Sequence, residues 1–200
     1  MAQKTGTLKS SGPKRNIESK NQIVAAAISI LETQGYTKFS IEQVARKAGV
    51  GKQTIYRWWP TKPELILDIF SSELLPPIPS YDGTSTLQEH LKKYLFIFAE
   101  NLSAPAATQA FICLIAEKSV NPKFSDLCQK LVFIPRMKAL SNSFKLATSL
   151  KEISHHEDTR HTASMIYGPV FHTIFVANSP VTIELVDTVI DRFFAELKTN

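Results

Sequence analysis

The sequence contains little glycine, little cysteine and no long apolar run. Glycine supplies 7 of 200 residues, whereas leucine, isoleucine, alanine and phenylalanine are plentiful, which favours helix over sheet. Two cysteines, Cys113 and Cys128, cannot build a disulfide framework and lie in no metal-binding motif, so we expect buried thiols of a cytoplasmic protein. No uncharged apolar run approaches the roughly 18 residues of a membrane helix, and the basic N-terminus has no apolar segment typical of a secretory signal. We therefore expect no membrane partner.

Motifs that carry catalysis or bind metals are also missing. The chain has no Ser/His/Asp order, no paired-carboxylate motif, no Gly-rich phosphate loop and no H-E-x-x-H, so we expect neither an enzyme nor a cofactor. His156 and His161 are five residues apart, whereas ligands on one helix face are three or four apart, so we predict no metal site. His155 and His156 begin a polar helix start, and His172 is either a core residue or a polar group of a pocket.

The positive charge is concentrated in the first third of the chain. Residues 1–62 carry eleven Lys and Arg against three acids, a net charge of +8, whereas residues 63–200 have a net charge of −3. Charges that serve solubility alone normally mix both signs along a chain. This partition therefore predicts that the N-terminal third binds a polyanion.

Apolar residues recur at helical spacing, and no segment alternates as a strand does. The pattern predicts an all-α protein of about nine helices. A first helix begins near Ser19, where Ser19-x-x-Gln22 has the form of a capping box, and ends at Gly35. Two more capping boxes, Ser40-x-x-Gln43 and Thr61-x-x-Glu64, begin later helices. The last three helices are expected at about 121–150, where Pro135 interrupts the helix, at about 157–177 and at about 182–197.

Three short helices in the first sixty residues, with glycines 49 and 51 before the third, predict a helix-turn-helix. In the third helix Ile55 and Trp59 face the core. The side chains left facing out include a Gln that can read adenine, an Arg that can read guanine, and hydroxyls for phosphate; they are Lys52, Gln53, Thr54, Tyr56, Arg57 and Trp58. The alternative is that Tyr56 and Trp58 pack against the first and fourth helices.

The stretch FSIEQVARKAGVGKQTIYRWWPTKPEL (39–65) resembles the DNA-binding signature of the tetracycline-repressor (TetR) family. The matching positions keep their spacing over more than twenty residues: Ala45, Ala48, Gly49, Val50, Tyr56, Trp59, Lys62 and Leu65. The resemblance implies that Tyr56, Lys62 and Ser40 contact phosphates and that the exposed positions of helix 3 read bases. The family often has His where Trp58 stands in this chain, which shifts the expected specificity.

The rest of the chain resembles one C-terminal domain type of the same family more loosely, through Asn121-Pro122-x-Phe124, Ile134-Pro135-Arg136, Gly168-Pro169 and Ser179-Pro180. The resemblance implies an effector pocket, with candidate residues Phe70, Phe98, Phe111, Phe133, Met137, Phe171 and His172. It also implies a four-helix dimer interface made by helices 8 and 9, with candidate residues Met165, Pro169, Phe175, Val176, Leu185 and Val189. Helix 8 is apolar nearly all round, and a partner chain explains this independently.

We therefore expect a flexible basic arm (1–18), a helix-turn-helix domain (19–62) and a domain for effector binding and dimerisation (63–200). The expected protein is a bacterial, cytoplasmic, homodimeric transcriptional regulator. It binds double-stranded operator DNA as a repressor and is released by a small, largely apolar effector. Two alternatives stay open at this point: a small-molecule-binding protein with a vestigial DNA-binding head, and a DNA-binding protein without an effector.

Overall fold

A computed structural model describes residues 13–154 and 159–199 of the chain. These residues form nine α-helices and no β-strand, which confirms the predicted architecture. Some helices contain a π turn or continue into one, and each such turn is counted with its helix. The elements are α1 (Pro13–Lys38), α2 (Ile41–Ala48), α3 (Lys52–Trp58), α4 (Lys62–Ile69, then the π turn Phe70–Leu74), α5 (Leu87–Ser103), α6 (Pro105–Val120), α7 (Pro122–Cys128, π turn Gln129–Phe133, Ile134–Ser149), α8 (Thr159–Phe171, then the π turn His172–Val176) and α9 (Ile183–Thr199).

Helix α1 begins earlier than the sequence predicts. The chain is helical from Pro13, so the predicted start near Ser19 is wrong, and residues 13–18 do not belong to a flexible arm. Proline fits the first turn of a helix because its missing N–H has no partner there, and no helix breaker follows before Ser19. The rest of the predicted arm, residues 1–12, lies outside the described residues. At the other end, Gly35 interrupts the regular helix where the sequence predicts, with φ 73° and ψ 174°.

Local interactions fix both ends of α2 and the turn to α3. The hydroxyl of Ser40 accepts the N–H of Gln43 at 3.3 Å, and the Gln43 side chain accepts the N–H of Ser40 at 3.2 Å, which is the predicted capping box. Gly49 ends α2 in the left-handed conformation at φ 67°, which only glycine adopts without strain. Because α3 begins three residues later, α2 and α3 form the predicted helix-turn-helix.

One continuous apolar core extends from Ile23 in α1 to Phe194 in α9. Helix α1 packs against α2 and α6, α4 packs against α6, and α5 packs against α9. In α4, five apolar residues are at most 1% exposed: Leu65, Ile66, Leu67, Ile69 and Phe70. Helix α4 is therefore packed deeply in the core along most of its length and connects the helix-turn-helix to the C-terminal helices.

All three π turns lie beside one cavity among the C-terminal helices. In α7 the π turn ends immediately before Ile134 and Pro135, and the N–H of Ile134 bonds to the carbonyl of Gln129. The interruption that Pro135 predicts is therefore a π turn, which widens the helix at a proline that has no N–H to give. The other two turns begin at Phe70 and directly after Phe171. Phe70, Phe133 and Phe171 all line the cavity.

Candidate functional site

The outward face of α3 carries the side chains that the sequence assigns to DNA. Ile55 and Trp59 are 0% and 4% exposed and hold the helix on the core, as predicted. The opposite side is open to solvent: Lys52, Gln53, Tyr56, Arg57 and Trp58 are exposed and Thr54 is half-buried. A short helix that is anchored on one side and polar, basic and aromatic on the other has the shape and chemistry of a major-groove reader.

Two of the predicted DNA contacts are engaged with neighbouring groups. The ammonium of Lys52 forms an ion pair with Glu42 at 2.6 Å, which raises the pKa of Lys52 and lowers the pKa of Glu42. Ser40 caps α2 through its hydroxyl. Lys52 and Glu42 are exposed, and exposed ion pairs contribute little to stability, so a phosphate can displace Glu42 at little cost; Ser40 is half-buried.

Lys62 occupies a different position from the one that the sequence suggests. Its ammonium donates to the carbonyls of Phe39 at 2.9 Å and Tyr36 at 3.3 Å, and it lies 4.0 Å from the centre of the Tyr36 ring. Partial burial lowers the pKa of Lys62. This geometry favours a positioning role, in which Lys62 joins the start of α4 to the end of α1, over direct contact with a phosphate.

A polar cluster joins the recognition helix to α4. The indole N–H of Trp59 donates to Asp68 in α4 at 2.9 Å, and Lys20 of α1 forms an ion pair with the same carboxylate at 3.4 Å. The Lys20 ammonium also lies 5.7 Å from the ring centre of Trp58, which is 36% exposed. Trp58 therefore contacts α1 through Lys20, while part of its ring remains at the surface.

The C-terminal helices enclose an apolar cavity of about 400 Å³, within the range of small-molecule sites. The rings of Phe111 and Phe171 stack in its wall, 5.1 Å apart and nearly parallel. Six of the seven residues predicted for an effector pocket line this cavity: Phe70, Phe98, Phe111, Phe133, Met137 and Phe171.

The seventh predicted pocket residue, His172, lies elsewhere. It follows Phe171 at the start of the π turn, where its side chain is exposed and outside the cavity lining. The prediction of a core or pocket histidine is wrong, because His172 comes one residue after Phe171 and helical spacing turns its side chain about 100° away from the cavity.

The sequence analysis missed the polar side chains of the cavity wall. Four of them line it: Arg136, Arg160, Ser164 and Tyr167. The guanidinium of Arg136 donates to the Tyr94 hydroxyl at 3.1 Å and to the carbonyl of Pro76 at 3.0 Å. An arginine beside a proline in an otherwise apolar stretch is the only local signal for it, and that signal does not reveal which side of α7 it lies on.

The outward faces of α8 and α9 leave apolar surface uncovered. Met165 and Val176 are 43% and 72% exposed in the single chain. The four other candidate interface residues are half-buried: Pro169, Phe175, Leu185 and Val189. The inward face of α8 instead contributes Ala163, Ile166 and Val170 to the core.

Neither metal-binding clusters nor membrane-spanning helices occur in the part of the chain that the structure describes. No three His, Cys, Asp or Glu side chains come together in 13–154 and 159–199, and His155 and His156 lie outside these ranges. No described helix is long and apolar enough to cross a membrane. Both cysteines are buried and unpaired, as expected, and burial raises the pKa of Cys113 to about 11.

Two family models match the chain. Residues 23–69 match the model described as bacterial regulatory proteins, tetR family, and residues 82–193 match the tetracyclin repressor-like C-terminal domain. The second match alone spans more than half of the chain. The chain belongs to the TetR family. Its members are DNA-binding transcriptional regulators, and α3 lies within the residues 23–69 that match the first model.

Individual TetR-family proteins resemble the chain over most of its length. The uncharacterized HTH-type transcriptional regulator YdeS of Bacillus subtilis is 25% identical over 186 residues, 91% of each chain. The crystal structure of the regulator SCO0332 superposes with a TM-score of 0.72 at 22% identity, covering 89% of this chain and 97% of that one. FadR from Bacillus subtilis, solved with stearoyl-CoA, has a TM-score of 0.64 at 19% identity, covering 86% and 95%.

Proposed function

We propose that the chain is a cytoplasmic, homodimeric repressor that binds operator DNA through α3 and is released by a small, largely apolar effector in the cavity. Residues 19–62 act as the DNA-binding head and residues 63–200 as the effector-binding and dimerisation domain. One observation carries the proposal: α4 touches both sites. Its Asp68 holds Trp59 at the end of the recognition helix, and Phe70, two residues later, lines the cavity.

The head supplies contacts of two kinds. We assign base reading to Gln53 and Arg57, whose side chains suit adenine and guanine, and phosphate contact to Tyr56, Thr54 and Ser40. Lys52 adds positive charge once it leaves Glu42. In a dimer the two recognition helices would enter successive major grooves about 34–36 Å apart, so the operator is expected to be nearly palindromic.

The cavity supplies the regulation. Its wall is mainly aromatic and aliphatic, so burial of an apolar molecule drives binding. A regulator with the same fold holds stearoyl-CoA, whose acyl chain is apolar, which supports this choice of effector class. An effector that displaces Phe70 shifts α4 and, through Asp68, the recognition helix. It can weaken operator binding only by its difference in affinity between the two head arrangements.

The exposed apolar faces of α8 and α9 support dimerisation between identical chains. Val176→Glu would place a charge in the proposed four-helix interface and should give monomers in sedimentation experiments. The matched control is Val120→Glu, a similarly exposed valine at the end of α6, 79% exposed, which should leave the dimer intact. Monomers from both variants, or from neither, would contradict this interface.

DNA titration tests the proposed function as a whole. Fluorescence anisotropy with the DNA that flanks the protein's own gene, at several salt concentrations and with random duplex as competitor, should show tight binding that survives the competitor. Tyr56→Ala should weaken binding to all sequences and change the salt slope little, because the phenol is neutral, whereas Gln53→Ala should relax base preference by about 1–3 kcal/mol. Lys145→Ala, an exposed lysine on α7, is the control that should change neither.

Ligand screening on the same complex separates the alternatives. An apolar compound that raises the melting temperature and lowers operator affinity supports an effector-released repressor. Operator binding that no stabilising ligand alters would favour a DNA-binding protein without an effector. Ligand binding without any specific DNA binding would favour a vestigial head.

A further inference from the structure

The polar part of the cavity wall consists of hydrogen-bond donors and positive charge. Among the residues that line it, the polar side chains are Arg136, Arg160, Ser164 and Tyr167, and none is acidic. The remaining lining is apolar apart from Gly168. A neutral hydrocarbon would fill such a cavity without using any of these groups.

Arg136 is the central cation of this wall. It is half-buried on α7 and lies with its guanidinium carbon 5.7 Å from the centre of the Phe98 ring. The ion pairs formed by the described residues involve other cations, so no carboxylate of 13–154 or 159–199 neutralises Arg136. A guanidinium has five N–H donors, and the bonds to Tyr94 and Pro76 use two of them. Three donors and a full positive charge remain.

The neighbouring phenols bond to each other. The hydroxyls of Tyr94 and Tyr167 are 3.0 Å apart and share a single hydrogen bond, which uses one of their two protons. Tyr94 also accepts from Arg136, so within this group of three side chains the second phenolic proton finds no acceptor. Burial raises the pKa of Tyr167, so this phenol keeps its proton at neutral pH. Arg136 therefore supplies the free donors that face the cavity, because Tyr167 gives its proton to Tyr94 and Tyr94 does not line the cavity.

Resting on the proposed function, we propose that the effector is an apolar acid, whose carboxylate binds Arg136 beside Tyr167 while its hydrocarbon or aromatic body lies among the phenylalanine rings. A carboxylate has two oxygens that accept from a guanidinium, and charge-assisted bonds of this kind are about twice as strong as neutral ones. The apolar surroundings strengthen the attraction because little water competes with it.

Matched pairs of ligands test this assignment in the full-length protein. Decanoate and decanol share one apolar body, and biphenyl carboxylate and biphenyl methanol share another. Calorimetric titration at neutral pH should show each acid binding about tenfold to a hundredfold more tightly than its alcohol. The acids should also release operator DNA at correspondingly lower concentrations.

Two substitutions test whether Arg136 causes the preference for the acid over the alcohol. Arg136→Gln removes the charge but keeps a donor for Pro76, and it should abolish the preference for the acid while leaving the affinity for the alcohol. Retained binding of the alcohol shows that the cavity is still folded. Arg136→Lys should keep part of the preference, because it keeps the charge. Arg192→Gln, at an exposed position on α9, is the control and should behave as the unchanged chain.

The outcomes distinguish this inference from the proposed function. Equal affinity for acid and alcohol, with operator release by both, would overturn the inference and leave the apolar effector standing. A preference for acids that survives Arg136→Gln would overturn the assignment to Arg136. If neither member of either pair binds, both the inference and the effector cavity fail.

Discussion

The contact between Trp59 and Asp68 allows a quantitative test of how the recognition helix is attached to α4. Trp59 is 4% exposed and its indole N–H donates to Asp68 at 2.9 Å. Asp68→Ala leaves this buried donor without a partner, which costs about 1–3 kcal/mol of unfolding free energy. The substitution also removes the ion pair with Lys20, which contributes a further 0.2–1 kcal/mol, roughly, because both side chains are 38% exposed.

Asp68→Asn is the matched control for this substitution. Asparagine keeps an oxygen that accepts from the indole and loses only the charge, so the expected loss is below about 1 kcal/mol. Trp59→Phe removes the donor itself. In that background Asp68→Ala should again cost less than about 1 kcal/mol, because no buried N–H is left unpaired.

Urea unfolding followed by far-UV circular dichroism measures all four variants, at one fixed protein concentration because dimerisation contributes to stability. With slopes of about 1–3 kcal/mol per molar urea, a loss of about 2 kcal/mol shifts the midpoint by roughly 1 M. Equal losses for Asp68→Ala and Asp68→Asn would refute the reasoning. So would additive effects of Trp59→Phe and Asp68→Ala, since coupling between the two positions is the central claim.

Three further predictions concern the connection between head and body and the loop before α5. Gly35→Ala should lower stability by more than about 1 kcal/mol, because φ is 73° and a methyl group would lie 2.9 Å from the Gln109 oxygen that accepts the N–H of Tyr36. Thermal melting measures the loss, and Gly51→Ala, at a position with open space around it, is the control. Lys62→Met should lower stability by about 1–2 kcal/mol because the contacts with the carbonyls are lost, and it should leave the salt slope of DNA binding unchanged. Lys62→Arg should largely restore stability. A reduced salt slope in Lys62→Met would instead place Lys62 on a phosphate. Burial lowers the pKa of His90, which lies beside Tyr81, Asp82 and Lys93. The folded state therefore binds fewer protons than the unfolded chain, and stability should decline as pH falls through about 6.5. His90→Gln should flatten this decline in urea titrations from about pH 8 to about pH 5, and exposed His172→Gln should not.

Local sequence patterns were sufficient to predict the helices and the exposed face of α3. Capping at Ser40 and the glycine at 49 act over three or four residues, so their effect can be read directly from the chain. The alternation of buried Ile55 and Trp59 with exposed neighbours follows from helical spacing alone. The start of α1 was misplaced because Pro13 fits the first turn of a helix and nothing between it and Ser19 interrupts the helix.

Six of the fifteen lining residues of the cavity were among the predicted ones, because large apolar side chains point inward whether they fill a core or border a cavity. The existence of the cavity itself depends on how closely the helices approach one another, and the spacing of residues along one helix does not determine that distance. The prediction for His172 failed for a different reason, since adjacent residues of a helix lie on different faces and Phe171 occupies the inward one.

Residue order alone was enough to specify an all-α chain, a helix-turn-helix with a basic, polar outer face, and apolar helices at the C-terminus, since each depends on residues within one or two helical turns. Helix packing was needed to establish the partners of Lys62, the contact of Trp59 with Asp68, and the group formed by Arg136, Tyr94 and Tyr167. The members of that last group are separated by 42 and 73 residues. Helix packing brings such side chains within about 3 Å of one another, and the spacing of residues along the sequence does not predict that distance.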